Sequence, residues 1–108
     1  MDLNRLQGWL VVEAGRRQAW PFLALNDPDS GAETRLYLDT TFTLRPGWAD
    51  LRQHDEAALV ALDSLIGLTV TSSTYSPHGL LVVFGEHELQ VRAEPNDLTS
   101  HDVWWTAP

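Results

Sequence analysis

Ser100, His101 and Asp102 carry the functional groups of a nucleophile, a base and an orienting acid. Adjacent residues in an extended segment point to opposite faces, so these three cannot pass a proton along a line. The segment reads instead as a turn into a final strand. Glu86 and Glu88 flank His87. On a strand their carboxylates project to one side about 7 Å apart, a separation compatible with a glycosidase pair or a weak cation site. Their predicted place at a hairpin tip makes them solvated surface carboxylates. The run DPDSG (Asp27 to Gly31) has the alternating acids of a calcium loop, but an EF-hand needs glycine at position six and glutamate at position twelve. Counting from Asp27 puts Gly31 at five and Leu38 at twelve, so a plain turn is expected. His54, His78, His87 and His101 show no ligand spacing, no glycine-rich phosphate loop is present, and the absence of cysteine removes thiolate sites and a thiol nucleophile. No catalytic residue, metal or cofactor is expected.

The aromatic residues are more informative. Trp9, Trp20, Trp48, Trp104 and Trp105 are five of 108 residues, more than a small core needs. Trp104 and Trp105 cannot both point inward from a strand, and an outward tryptophan is a common anchor for a protein partner. Charge adds a second signal. Residues 1 to 54 carry seven acids against six arginines, whereas residues 55 to 108 carry eight acids against Arg92 alone, and the net charge is -8. That balance disfavours nucleic acid and anionic lipid, which are bound through arrays of cations, and it favours a basic partner. Trp104, Trp105, Glu86, Glu88 and Asp102 are the candidate partner-binding residues.

Such residues must be placed by elements, and the elements are written twice. LQGWLV (Leu6 to Val11) returns 59 residues later as LIGLTV (Leu65 to Val70), and the same offset carries Leu23 and Leu25 onto Val82 and Phe84. Leu36 and Leu38 then align with Leu89 and Val91 after six extra residues in the first half, a longer hairpin loop. Each half, about 3–45 and 62–106, reads as a three-stranded antiparallel meander. In the third strand of the first half, Leu36, Leu38, Thr40, Phe42 and Leu44 share one face and Tyr37, Asp39, Thr41, Thr43 and Arg45 the other. SPHG and FGEHEL read as hairpin turns. Between the halves, Pro46 and Gly47 stop a strand. Asp55 is placed as N-cap of a short helix with Ala58, Leu59, Leu62 and Leu65 or Ile66 at helical spacing. HDVWWTAP reads as a final edge strand.

A three-stranded unit cannot bury its own apolar face, but two packed together can. The expectation is one mainly β domain over residues 1–108, two repeated meanders packed as a small sandwich or barrel with one short connecting helix. The apolar runs, about five residues at most, are far short of a bilayer span. MDLNRLQGWLVV lacks a basic leader, a long apolar core and a cleavage site, which makes a cytoplasmic location the expectation.

The L-x-G-x-x-V motif at Leu65 to Val70, the paired strands LLVVF and ELQV, and the tryptophan at 104 or 105 resemble a family of small bacterial proteins. That family is frequent in actinobacteria and known only as a domain of unknown function. The likeness spans nearly the whole chain, with one departure: the hairpin GEHE carries its glycine early rather than just before the third strand. It implies no established activity. Small proteins of this kind are loosely similar to immunity proteins that neutralise toxins, which implies a noncatalytic module occluding a basic partner such as a toxin nuclease. Two other readings stand beside it. One is a small-ligand binder or enzyme with a pocket between the halves, lined by Tyr37, Tyr75, Trp20 and His78. The other is a homodimer that pairs edge strands across a two-fold axis.

Overall fold

The computed structural model describes residues 6–100 and 102–108. In chain order the elements are β1 (Leu10–Arg17), β2 (Trp20–Asn26), β3 (Glu33–Leu38), β4 (Phe42–Arg45), β5 (Trp48–Leu51), α1 (Glu56–Asp63), β6 (Ser72–Ser76), β7 (Gly79–Phe84), β8 (His87–Arg92) and β9 (Trp104–Ala107). They form a four-stranded sheet, order β1-β2-β3-β9, and a five-stranded sheet, order β5-β4-β8-β7-β6. Every strand pairing is antiparallel. Neither sheet closes on itself, so of the two expected packings the chain adopts the sandwich and not the barrel. No described helix is long and apolar enough to cross a membrane.

The repeated glycine motifs meet each other. Gly8 N–H donates to the Val70 carbonyl at 2.8 Å, and Gly67 N–H donates to the Val11 carbonyl at 2.8 Å. Val11 N–H donates to Leu68 and Val70 N–H to Trp9, both at 2.9 Å. Exchanging each residue for its counterpart 59 positions away turns each of these bonds into its twin, so the pair is an approximate two-fold clasp. Gly8 and Gly67 hold nearly equal left-handed φ of 89° and 92°, a conformation that L side chains resist. Leu6 and Leu65, at the start of each motif, are fully buried.

The same symmetry governs the crossings. The alternating run from Leu36 to Arg45 does not remain one strand, as its pattern predicts. It breaks at Asp39 to Thr41, and its second part, β4, leaves for the other sheet, where it pairs with β8. In return β9, which follows β8, crosses back and pairs with β3. Each meander thus lends its fourth strand to the other sheet. The alternation survives the break because Phe42 and Leu44 face the same core as Leu36 and Leu38. β5, which the sequence pattern left unassigned, forms a hairpin with β4 around Pro46 and Gly47.

Where the two crossings pass each other, backbone groups are far from water and need partners. They find them in side chains. Gln53, 0% exposed, donates to Asp39 Oδ1 at 3.1 Å and to Asn96 Oδ1 at 2.9 Å, and accepts from Asn96 Nδ2 at 2.7 Å. Asn96 Nδ2 also reaches Thr41 Oγ1 at 3.0 Å. Asp39, 1% exposed, accepts the Ser100 N–H at 2.9 Å, while Thr40 Oγ1 donates to the Glu94 carbonyl at 2.6 Å.

α1 starts after Asp55, as expected, but the Asp55 side chain makes no cap bond to the helix. It turns back to accept the Arg52 N–H at 2.9 Å. Ala58, Ala61 and Leu62 are the buried helix residues, whereas Leu59 is half-buried and Ile66, beyond the helix, is exposed. The helix packs on β1, β2 and β5.

Two exposed carboxyls are held below the ordinary value of 3.8, Asp27 chiefly by the Ser30 hydroxyl and Asp97 chiefly by a hydrogen bond from Arg52. A depressed folded-state pKa contributes stability that is full above the unfolded value and is lost as pH falls through the folded one. Asp27→Asn and Asp97→Asn are therefore expected to flatten the acid limb of the stability curve below about pH 4, and to leave stability at pH 7 lower than in the parent. Urea titrations from neutral to acid pH check this; parallel curves for parent and variants would contradict it.

Candidate functional site

β2 reads WPFLALN, apolar on both faces, which a strand requires only when both faces are covered. Its inward residues Leu23 and Leu25 join the main core. Its outward residues Phe22 and Ala24 form a second apolar cluster with Tyr37, against which Trp20, Trp105 and Ala107 pack. The register explains why these rings meet. Gly15 lies opposite Phe22, Phe22 opposite Tyr37, and Tyr37 opposite Trp105, one row running across all four strands.

Within that row, Phe22 and Tyr37 have centroids 5.7 Å apart and tilted by 52°, and Tyr37 and Trp105 are stacked at 5.2 Å and 12°. Trp20 meets Trp105 edge-on at 5.1 Å and 84°. Contacts of this kind contribute about 0.5–1.5 kcal/mol each beyond burial. Gly15 supplies the space: a Cβ there would lie 3.2 Å from Phe22 Cζ. Arg35 places its guanidinium 5.4 Å from the Phe22 centroid, a cation over a ring face.

At one end of the row is a cleft of about 300 Å³ lined by Arg17, Gln18, Trp20, Tyr37, Trp105, Ala107 and Pro108. Its rim includes the β1–β2 turn, where Gln18 holds a left-handed φ of 58° that costs a non-glycine residue energy. Among the described residues no group of three histidine or acidic side chains is placed to hold a metal ion.

The partner-binding candidates are divided by the fold. Trp105 points outward into the aromatic row, while Trp104 points the other way, packs against the main core and meets the Tyr75 ring at 5.6 Å. Glu86 is exposed in the β7–β8 turn. Glu88 lies opposite Arg45 on the five-stranded sheet. Asp102 is exposed just before β9. Trp105 and the two glutamates thus stand on different sheets. The pocket set divides too. Tyr37 and Trp20 share the cleft with Trp105, whereas Tyr75, 66% exposed on β6, and His78, in the β6–β7 turn, belong to the other sheet. Of the Ser100, His101 and Asp102 run, His101 lies outside the described residues, and Ser100 is tied through its backbone to Asp39.

Phe22, Arg35, Arg17 and Gly15 were not singled out by the sequence pattern. The signal for them was the two-sided apolarity of β2, which calls for a cover on the outward face. No family model matches this chain, and no curated protein or solved structure matches it either.

Proposed function

We propose that the protein is a noncatalytic binding module that docks a basic protein partner on the outward aromatic face of the four-stranded sheet. The occlusion would be of the kind an immunity protein uses against its target. The observation that carries this reading is the half-buried pair Trp20 and Trp105, which lie over the buried Phe22, Ala24 and Tyr37 on a sheet face that in a small sandwich is ordinarily polar. Tryptophan, tyrosine and arginine are the residue types that dominate binding energy at interfaces, and Trp20, Trp105, Tyr37, Arg17 and Arg35 stand together here. The cleft at the end of the row has the size to seat one side chain of a partner. The net charge of -8 acts at longer range, drawing in a basic molecule and raising its on-rate.

The test is a pull-down from source lysate at low and high salt, followed by reconstitution with the purified partner. One basic protein is expected to be retained at low salt and released at high salt, and Trp105→Ala is expected to weaken it by at least about tenfold. Glu86→Gln with Glu88→Gln, on the opposite sheet, is expected to alter affinity by less than about threefold, acting through on-rate alone. Circular dichroism of Trp105→Ala, expected to match the parent, checks that the variant remains folded. Equal retention by that variant, or a co-purifying metabolite with no protein retained, overturns the reading.

A further inference from the structure

The outward face of the five-stranded sheet has a different chemistry. Thr43, Gln90, Leu81 and Thr74 lie opposite one another in a row across β4, β8, β7 and β6. Above this row is a cavity of about 460 Å³, into which Arg45, Asp50 and Arg92 also open. A second cleft of about 490 Å³ adjoins it, shares Thr43, Arg45 and Asp50, and ends on Trp48. The two form one trough, with hydroxyls, an amide and charged groups in the middle and an indole at one end.

The polar groups are solvent-accessible and contact one another. Arg45 Nη1 donates to Gln90 Oε1 at 2.8 Å, and Arg92 Nη2 pairs with Asp50 Oδ1 at 2.5 Å. Asp50 N–H donates to Thr43 Oγ1 at 3.1 Å. Asp50 is also held at a left-handed φ of 50°, a strained conformation that places its carboxylate in the trough. Arg45 spends one of its five donors on a neutral amide, and a guanidinium fork suits a carboxylate. Arg45 and Arg92 stand against Asp50 in the wall and Glu88 opposite Arg45 beside it, so the charges balance and the remaining Arg45 donors are what an acid group would meet.

We propose that this trough binds a small polyhydroxylated carboxylate of the sugar-acid class. Its acid group would meet Arg45, and its hydroxyls would meet Asp50, Gln90 and the threonine hydroxyls. A carboxylate alone would leave Asp50 and the hydroxyls unused, and a neutral sugar would leave the Arg45 fork unused. This site is independent of the aromatic face, which lies on the other sheet.

The experiment is an NMR titration of the full chain with D-glucuronate, with glucose and acetate as comparison ligands. Glucuronate is expected to give saturable shifts confined to the five-stranded sheet and its β4–β5 and β6–β7 turns, and to bind at least about tenfold tighter than glucose or acetate. Arg45→Gln is expected to abolish the preference for glucuronate over glucose, and Asp50→Asn, which tolerates the left-handed backbone, to weaken both sugars. Trp105→Ala is expected to leave the titration unchanged, which separates this site from the docking face. No saturation by roughly 20 mM, well above the 1 mM range of weak specific binding, overturns the proposal. So does an affinity for glucuronate that Arg45→Gln leaves intact.

Discussion

Gly79→Ala is expected to be the most damaging single-methyl substitution in the chain, lowering stability by at least about 4 kcal/mol. Gly79 opens β7 with a φ of +124°, and a Cβ built on it would lie 2.0 Å from the Val91 carbonyl oxygen and 3.1 Å from the Ala93 nitrogen. Both obstacles are backbone of the neighbouring strand, so no side-chain rotation relieves them. β7 and β8 would have to part, and they are adjacent in the middle of the five-stranded sheet. Against a total stability of about 5–15 kcal/mol for a domain of ordinary size, that loss removes from about a quarter to most of it. Gly31→Ala is the matched control. Gly31 has a φ of +76° but nothing within 4 Å of an added Cβ, so the strain alone is expected to cost about 1–2 kcal/mol. Urea midpoints for the two variants separate collision from strain; equal midpoints would mean that the β7–β8 contact yields without cost.

The second large effect is expected at Gln53. Gln53→Leu keeps the approximate volume but removes the donor to Asp39 and both halves of the amide pair with Asn96. The groups left behind, a carboxylate 1% exposed and an amide in the same network, lose partners that water cannot easily replace. Stranding such groups costs about 2–4 kcal/mol in total, or roughly 10–20 °C in Tm for a domain of this size. Because Gln53 and Asn96 bond to each other, Asn96→Leu and the double variant complete a cycle with an expected coupling of at least about 1 kcal/mol. Additive effects in that cycle would show that the two amides act separately.

The sequence foretold the parts of the fold that rest on local pattern. The meanders, the turns at Ser76 to Gly79 and Gly85 to Glu86, the helix near Asp55 and the opposite orientations of Trp104 and Trp105 all follow from period and turn chemistry. What it hid rests on long-range pairing. Nothing local separates a continuous strand through Asp39 to Thr41 from one that breaks and changes sheets, because the alternation is preserved on both sides of the break. The burial of Asp39 and Thr41 is likewise invisible in sequence, since their partners lie at Gln53, Asn96 and Ser100. The aromatic row was half legible: Trp105, Tyr37 and Trp20 attract notice by type, but only register places them beside one another and away from His78 and Tyr75.

The paired glycine clasp and the reciprocal loan of β4 and β9 have a consequence for assembly. These contacts are what two separate copies of a half-length chain would make across a two-fold axis. Fusion of the halves replaces a bimolecular encounter with a tethered one, at an effective concentration in the millimolar range for a short connection. The same hydrogen bonds are satisfied equally well when the first half of one molecule clasps the second half of another. A closed, intertwined dimer would repeat these hydrogen bonds, and the segment from Pro46 to Ser64, which carries β5 and α1, would then have to bridge the two molecules.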